Sequence, residues 1–178
     1  MPPRCAAARA LALAAFILAL ATTTPVLVRA YPAYFLSANS ACGAQPTKGM
    51  GKHKAPVADS TITFTVQGPS GKETRLCPGG VYSVTATFPQ PRNALLSASS
   101  GAFDGSGCRV LTTSKVSSVS GTYRVPCQAA DKSTVALRVT SATGERGAFL
   151  QSGVTLPVVA GCASSSCRGV GPAAARSG

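Results

Sequence analysis

VYSVTATF, residues 81–88, is the stretch on which the reading of this 178-residue chain turns. Tyr82, Val84, Ala86 and Phe88 fall on one side of an extended strand, and Ser83, Thr85 and Thr87 on the other. Successive side chains of a strand point to opposite faces, so this alternation describes a sheet with one buried face. Residues 61–67 (TITFTVQ) repeat the pattern with Ile62, Phe64 and Val66 inward and threonines outward. Residues 134–141 (TVALRVTS) repeat it with Val135, Leu137 and Val139. β-Branched residues dominate all three, as a half-buried pleat favours. Residues 94–98, 109–113, 122–125 and 154–158 are shorter candidates of the same kind.

Turn signals separate these segments: Gly68-Pro69-Ser70-Gly71, Cys77-Pro78-Gly79-Gly80, Pro89-Gln90-Pro91, Gly105-Ser106-Gly107 and Gly144-Glu145. Strands recurring with short Gly/Pro punctuation indicate an all-β sandwich or barrel. No helical periodicity with caps occurs outside the first thirty residues. Residues 31–59 read as an irregular arm, residues 31–160 as one domain, and residues 161–178 as a flexible, Ser/Ala/Gly-rich tail closed by its own cysteines.

Residues 1–30 read as a secretory signal. Arg4 and Arg9 give a positive start, and residues 11–21 (LALAAFILALA) form an apolar run too short to span a bilayer. Cleavage is expected after Ala30, with Ala21 as the alternative. Removing residues 1–30 deletes Cys5 and turns an odd seven cysteines into an even six: Cys42, Cys77, Cys108, Cys127, Cys162 and Cys167. An even count suits full pairing in an oxidising compartment. The expected product is secreted, extracellular and not membrane-spanning.

Loss of Arg4, Arg9 and Arg29 lowers the net charge from +12 to +9, still strongly basic. Anionic partners follow from that sign. Acidic polysaccharide, extracellular matrix or a cell-surface protein fit the address, and nucleic acid does not. Lys48, Lys52 and Lys54 are the one basic cluster, and Tyr34 and Phe35 lie upstream of it. Cations beside aromatic faces suit acidic sugars, so these five residues are the candidate ligand-binding set. Solvation of a bare loop explains the same residues.

Catalytic chemistry finds little to work with. His53 is the single histidine, no G-x-S-x-G elbow accompanies it, and a solvated loop histidine is the simpler reading. Asp59, Glu73, Asp104, Asp131 and Glu145 are scattered singly, so no spacing selects a glycosidase pair. A zinc site is not expected from one histidine without paired-cysteine spacing. No catalytic residue, cofactor or metal is assigned.

Residues 77–88 (CPGGVYSVTATF) resemble the PG-x-x-Y-x-V-T strand of reeler (reelin N-terminal-like) domains. Asn93-Ala94-Leu95-Leu96, then Gly101-Ala102-Phe103, occupy the place of that family's packed segment. Cys108, Thr112-Thr113-Ser114-Lys115 and Gly121-Thr122-Tyr123-Arg124-Val125-Pro126 follow in the family's order, and Ser40-Ala41-Cys42 is similar to its early cysteine. Tryptophan is missing near Tyr123, the family's Gly-Phe before the packed segment is missing, and Cys77 and Cys127 are additions. The resemblance covers roughly residues 31–158. It implies an immunoglobulin-like antiparallel β-sandwich, stapled by disulfides, that acts by recognition and not catalysis. It also implies a Cys42–Cys108 bridge. Cys162 with Cys167 is then sterically easy, with Cys77–Cys127 the remainder. A non-catalytic recognition or adhesion module is therefore expected. A wall- or carbohydrate-associated structural protein is the alternative, and a secreted hydrolase the remote one.

Overall fold

Residues 81–88 and 94–98 belong to one strand. The computed structural model describes residues 41–144 and 146–167, and in it β4 (Val81–Ala98) runs uninterrupted through Pro89-Gln90-Pro91. Those prolines read as a turn in the sequence, and that expectation is corrected here. Pairing with the neighbouring strand jumps from Thr87↔Ser118 to Arg92↔Val116, while pairing on the other side begins only at Asn93. The prolines thus sit where β4 changes partners and no ladder needs their missing N–H groups.

β4 therefore threads two halves of one curled sheet. Its first part lies between β2 (Thr63–Gly68) and β7 (Val116–Arg124), flanked by β3 (Gly71–Lys72) and β5 (Ala102–Phe103). Its second part lies between β6 (Arg109–Leu111) and β8 (Thr134–Ala142), beyond which come β9 (Ala148–Pro157) and β1 (Lys54–Ala58). Ile62, Val66, Val84, Ala86 and Phe88 from one half pack with Leu96, Val135, Leu137, Val139 and Leu156 from the other in a single buried cluster. This is the all-β, disulfide-stapled sandwich that the alternation predicts. One pairing departs from the antiparallel expectation: β1 runs parallel to β9. The first strand joins an edge whose neighbour is the last, so chain direction there is free of any hairpin constraint.

Arg92 and Tyr123 both carry polar groups into this apolar setting. Arg92 on β4 is only 3% exposed, and its Nη1 donates to Asp59 Oδ2 at 2.6 Å and lies 3.4 Å from Ser141 Oγ. The guanidinium also sits 5.7 Å from the Phe88 ring centroid. Tyr123 is fully buried against Phe103, with ring centroids 5.3 Å apart, and its hydroxyl donates to the Ser100 carbonyl at 2.8 Å. Burial pushes its phenol up to about 12 from an ordinary 10.0. A raised phenol means that the folded state holds its proton longer than the unfolded chain does. Its contribution is complete below pH 10 and is lost as pH rises toward about 12. The thermal midpoint of the wild type is accordingly expected to fall across that window. Tyr123→Phe, with no phenol to ionise, should show a shallower fall; equal slopes in alkaline melts would contradict the assignment.

One end of the sandwich is closed by two bridges that differ from the expected pairing. Cys77 joins Cys162, and Cys127 joins Cys167. The local Cys162–Cys167 and residual Cys77–Cys127 pairings are both overturned. Residues 160–167 form two single 3₁₀ turns pinned over the Cys77-Pro78-Gly79-Gly80 turn, with Ser164 N–H bonded to the Pro78 carbonyl at 2.9 Å. Four intervening residues made the local bridge easy, but the 3₁₀ geometry sends the two thiols to different partners. Gly79 makes the close approach possible: its φ is +70°, and a Cβ there would collide with Cys167 Sγ. Tyr82 fixes the turn from inside, its hydroxyl accepting the Cys77 N–H at 2.7 Å. The described part of the tail, up to Cys167, is thus tied down on both cysteines; residues 168–178 lie outside the described residues.

Candidate functional site

The arm is not a free arm. Its described part lies across the outward face of the β4–β8–β9 half, opposite the core. Cys42 joins Cys108, as the resemblance implies, and the buried Arg109 donates from Nη2 to the Ala41 carbonyl. Gln45 donates to Ser97 Oγ at 2.6 Å and accepts from the Thr140 hydroxyl. Gln151 Nε2 donates to the Pro46 carbonyl at 2.8 Å. Farther along, Ala44 and Met50 pack on a second apolar cluster of Leu95, Ala142 and Phe149. Leu95, Ala142 and Phe149 sit at outward positions of their strands. Sequence alternation alone would have called such residues misplaced; the arm is what covers them.

Where the arm ends and β1 begins, the surface is concave. A groove of about 620 Å³ is bounded by residues 43–47 of the arm and by Pro56, Val57 and Ala58 of β1. Its floor is Gln151, Ser152 and Gly153 of β9 with Arg138 of β8. That volume lies within the usual range for a site that holds a small ligand or one or two sugar units. Gly153 keeps the floor low, because a Cβ there would stand 2.9 Å from the Leu137 carbonyl and 3.2 Å from Arg138 Cγ. Arg138 is exposed; among the described residues it is the single charged one that lines the groove, and no carboxylate does. Val57, 48% exposed, supplies an apolar wall. Guanidinium, amides and hydroxyl beside proline and valine suit an anionic group carried on a weakly polar body.

The predicted lysines do not line this groove. Lys48 follows the lip residue Thr47, Lys52 lies in the loop beyond, and Lys54 is the first residue of β1; all three are exposed. Residues 54–58, part of the irregular arm that the sequence predicts, are instead a strand. Gly49 packs closely against the His53–Lys54 backbone, so the loop folds back and holds Lys48 and Lys54 near one another. The Lys54 N–H bonds to the Gly147 carbonyl at 3.3 Å, which brings Arg146 of the β8–β9 connection to the same corner. His53 is structural here: its ring stacks on Phe149 at 4.5 Å, and Nδ1 donates to the Gly147 carbonyl at 3.1 Å. Tyr34 and Phe35, the aromatic members of the candidate set, lie outside the described residues.

No family model and no curated protein matches the chain in sequence. Among solved structures it is similar to the Reelin-N domain of F-spondin, at 16% identity and a TM-score of 0.44, over 58% of this chain and 91% of that one. It is also similar to the human F-spondin reeler domain, at 14% identity and a TM-score of 0.45, over 61% of this chain and 96% of that one. The sulfur carrier protein SoxY of Chlorobium limicola follows at 14% identity and a TM-score of 0.40, over 58% and 84% of the two chains. The chain resembles reeler domains. The likeness is diffuse and partial.

Arg138 is the residue that sequence reasoning missed. The signal was present, since alternation in TVALRVTS turns Arg138 outward when Val135, Leu137 and Val139 turn inward. What the alternation did not contain was the arm, whose residues 43–47 convert an exposed sheet position into the floor of a groove. Among the described residues no three His, Cys, Asp or Glu side chains gather where a metal ion would sit. Asp59, the acid nearest the groove in sequence, is engaged by Arg92 and by the Thr61 hydroxyl at 2.6 Å.

Proposed function

We propose that this protein is a secreted, extracellular recognition module without catalytic activity, which binds an acidic polysaccharide or another anionic surface ligand at the Arg138 groove. The carrying observation is charge: among the described lining residues the one charged group is the Arg138 guanidinium, and the exposed Lys48 follows the lip residue Thr47 in the chain. Three bridges using all six cysteines beyond residue 30 support an oxidising address. In this reading residues 1–30 are a removable leader and residues 31–160 the working domain. Arg138 supplies orientation through paired N–H groups, and the lysines supply longer-range attraction.

The test is retention on immobilised polygalacturonate and dextran sulfate. Arg138→Ala is expected to weaken binding by about tenfold, since hydrogen bonds to a charged group contribute roughly 1.5–3 kcal/mol. Replacing Lys48, Lys52 and Lys54 together should mainly flatten the salt dependence, because exposed cations supply the long-range attraction that salt screens within a Debye length. Retention unaffected by Arg138→Ala would remove the groove from the proposal. Failure of the wild type to bind either polymer at low salt would remove the anionic ligand.

A further inference from the structure

We propose that the Arg138 groove is specific for polyuronate, whose sugars carry a carboxylate beside free ring hydroxyls, and that Gln151 is the residue that selects the hydroxyl. This rests on the anionic-ligand reading above and narrows it. The deciding feature is a one-way chain of hydrogen bonds beneath the arm. The Pro46 carbonyl can only accept, so the amide nitrogen of Gln151 must face it, and it donates there at 2.8 Å. The same nitrogen donates to Thr140 Oγ1 at 2.9 Å. Thr140, fully buried, donates its own O–H to Gln45 Oε1, and Gln45 Nε2 donates to the buried Ser97 hydroxyl at 2.6 Å.

Both N–H groups of Gln151 are thereby engaged inward. Its Oε1 accepts from no donor among the described residues, yet it is not a buried atom left without one. Gln151 is half-buried and lines the groove, so that oxygen is an accessible acceptor on the floor. A glutamine amide ordinarily offers a ligand both donors and an acceptor; here the network leaves only the acceptor. It also fixes the amide before any ligand arrives, so little freedom is lost on contact.

Arg138 supplies the opposite sign. It pairs with Gly153 across the β8–β9 ladder, and Thr140 pairs with Gln151, so Arg138 and Gln151 are diagonal neighbours on the outward face. Diagonal positions of an antiparallel pair lie about 7–8 Å apart. The Arg138 stem lies against Gly153, where an added Cβ would stand 3.2 Å from Arg138 Cγ. Among the described residues the guanidinium forms no ion pair. A donor fork and a lone acceptor at that spacing select one kind of anion. A uronate ring carries a carboxylate for the guanidinium and, on the same ring, hydroxyls that donate to an amide oxygen. Sulfate esters are made on such hydroxyls, so a sulfated ring turns an oxygen that only accepts toward Gln151 Oε1. A site built to pair a hydroxyl rejects the analogue that lacks it, because its own polar group is left without a partner.

The experiment compares retention of the whole protein on immobilised polygalacturonate and on the same polymer O-acetylated at its ring hydroxyls, matched in carboxylate content. The acetylated polymer is expected to bind roughly tenfold more weakly at equal charge. Arg138→Ala should weaken binding to both polymers. In Gln151→Met the preference should nearly vanish, whereas Thr140→Val, which spares Oε1 and leaves Pro46 holding the amide, should keep it. The ratio is the diagnostic quantity: a loosened arm lowers both affinities, and acetyl bulk alone would preserve the preference in Gln151→Met. Competition supplies a measurement free of mutation and of bulk. Galacturonate should displace the wild type roughly tenfold better than cyclohexanecarboxylate, a six-membered ring with the carboxylate and no hydroxyl. Equal retention of the two polymers, an unchanged preference in Gln151→Met, or equal competition by the two acids would each overturn the specificity while leaving an anionic site in place. So would binding to dextran sulfate without binding to polygalacturonate. No binding to either polyanion would overturn the anionic-ligand reading and this inference together.

Discussion

Replacing Cys162 and Cys167 together by serine is expected to remove roughly 4–8 kcal/mol of stability, about 2–4 for each bridge. That approaches the whole margin of a domain this size, which is about 5–15 kcal/mol. The reason is connectivity. Had these two cysteines bonded each other, the double variant would cut one short loop. They close separations of 85 and 40 residues instead, to Cys77 and Cys127. In the chain-entropy account loop length sets the effect, so each bridge restrains the unfolded chain strongly. Urea unfolding of the double variant, beside peptide mapping of the non-reduced wild type, checks both parts. A midpoint within error of wild type, or a tryptic fragment carrying Cys162 bonded to Cys167, would refute the pairing.

Asp59→Asn is the second large effect, expected to cost about 3–5 kcal/mol. It leaves the Arg92 cation buried without its counter-charge, which is the expensive way to break a buried pair. Arg92 Nε has no hydrogen-bond partner among the described residues, so little remains to compensate the guanidinium. Adding Arg92→Met to Asp59→Asn should recover most of the loss, because an apolar replacement restores packing without a charge. The difference between the two variants is the diagnostic quantity. pH gives an independent reading. The Thr61 hydroxyl foremost, and Arg92 after it, hold the Asp59 carboxyl below its ordinary value of 3.8 despite some burial. A depressed carboxyl contributes stability that is present above the ordinary value and lost as pH falls through the folded one. Acid unfolding of the wild type should therefore include a proton uptake that Asp59→Asn lacks. Identical acid transitions in the two proteins would count against the ion pair.

How much of this was legible beforehand varies by element. Residues 61–67, 81–88 and 134–141 announced their strands and inward faces, because period two is a local property of the pleat. Pro89-Gln90-Pro91 misled, since proline usually ends a strand and nothing local says that two ladders change over at that point. Lys48, Lys52 and Lys54 stand out by composition, and all three are exposed. The groove was not legible, because Gln45 and Pro46 meet Thr140 and Gln151 across about a hundred residues of sequence.

By itself the sequence determined the all-β class, the inward and outward positions of the main strands, and six cysteines beyond residue 30, an even number suited to full pairing. These follow from residue spacing and parity, which need no knowledge of distant partners. Tertiary structure alone decided which thiols bond, where the described part of the arm lies, and that Arg138 floors a groove. Each of those depends on register between strands far apart in the chain. Register is set by the joint packing of both sheet halves and not by any local window.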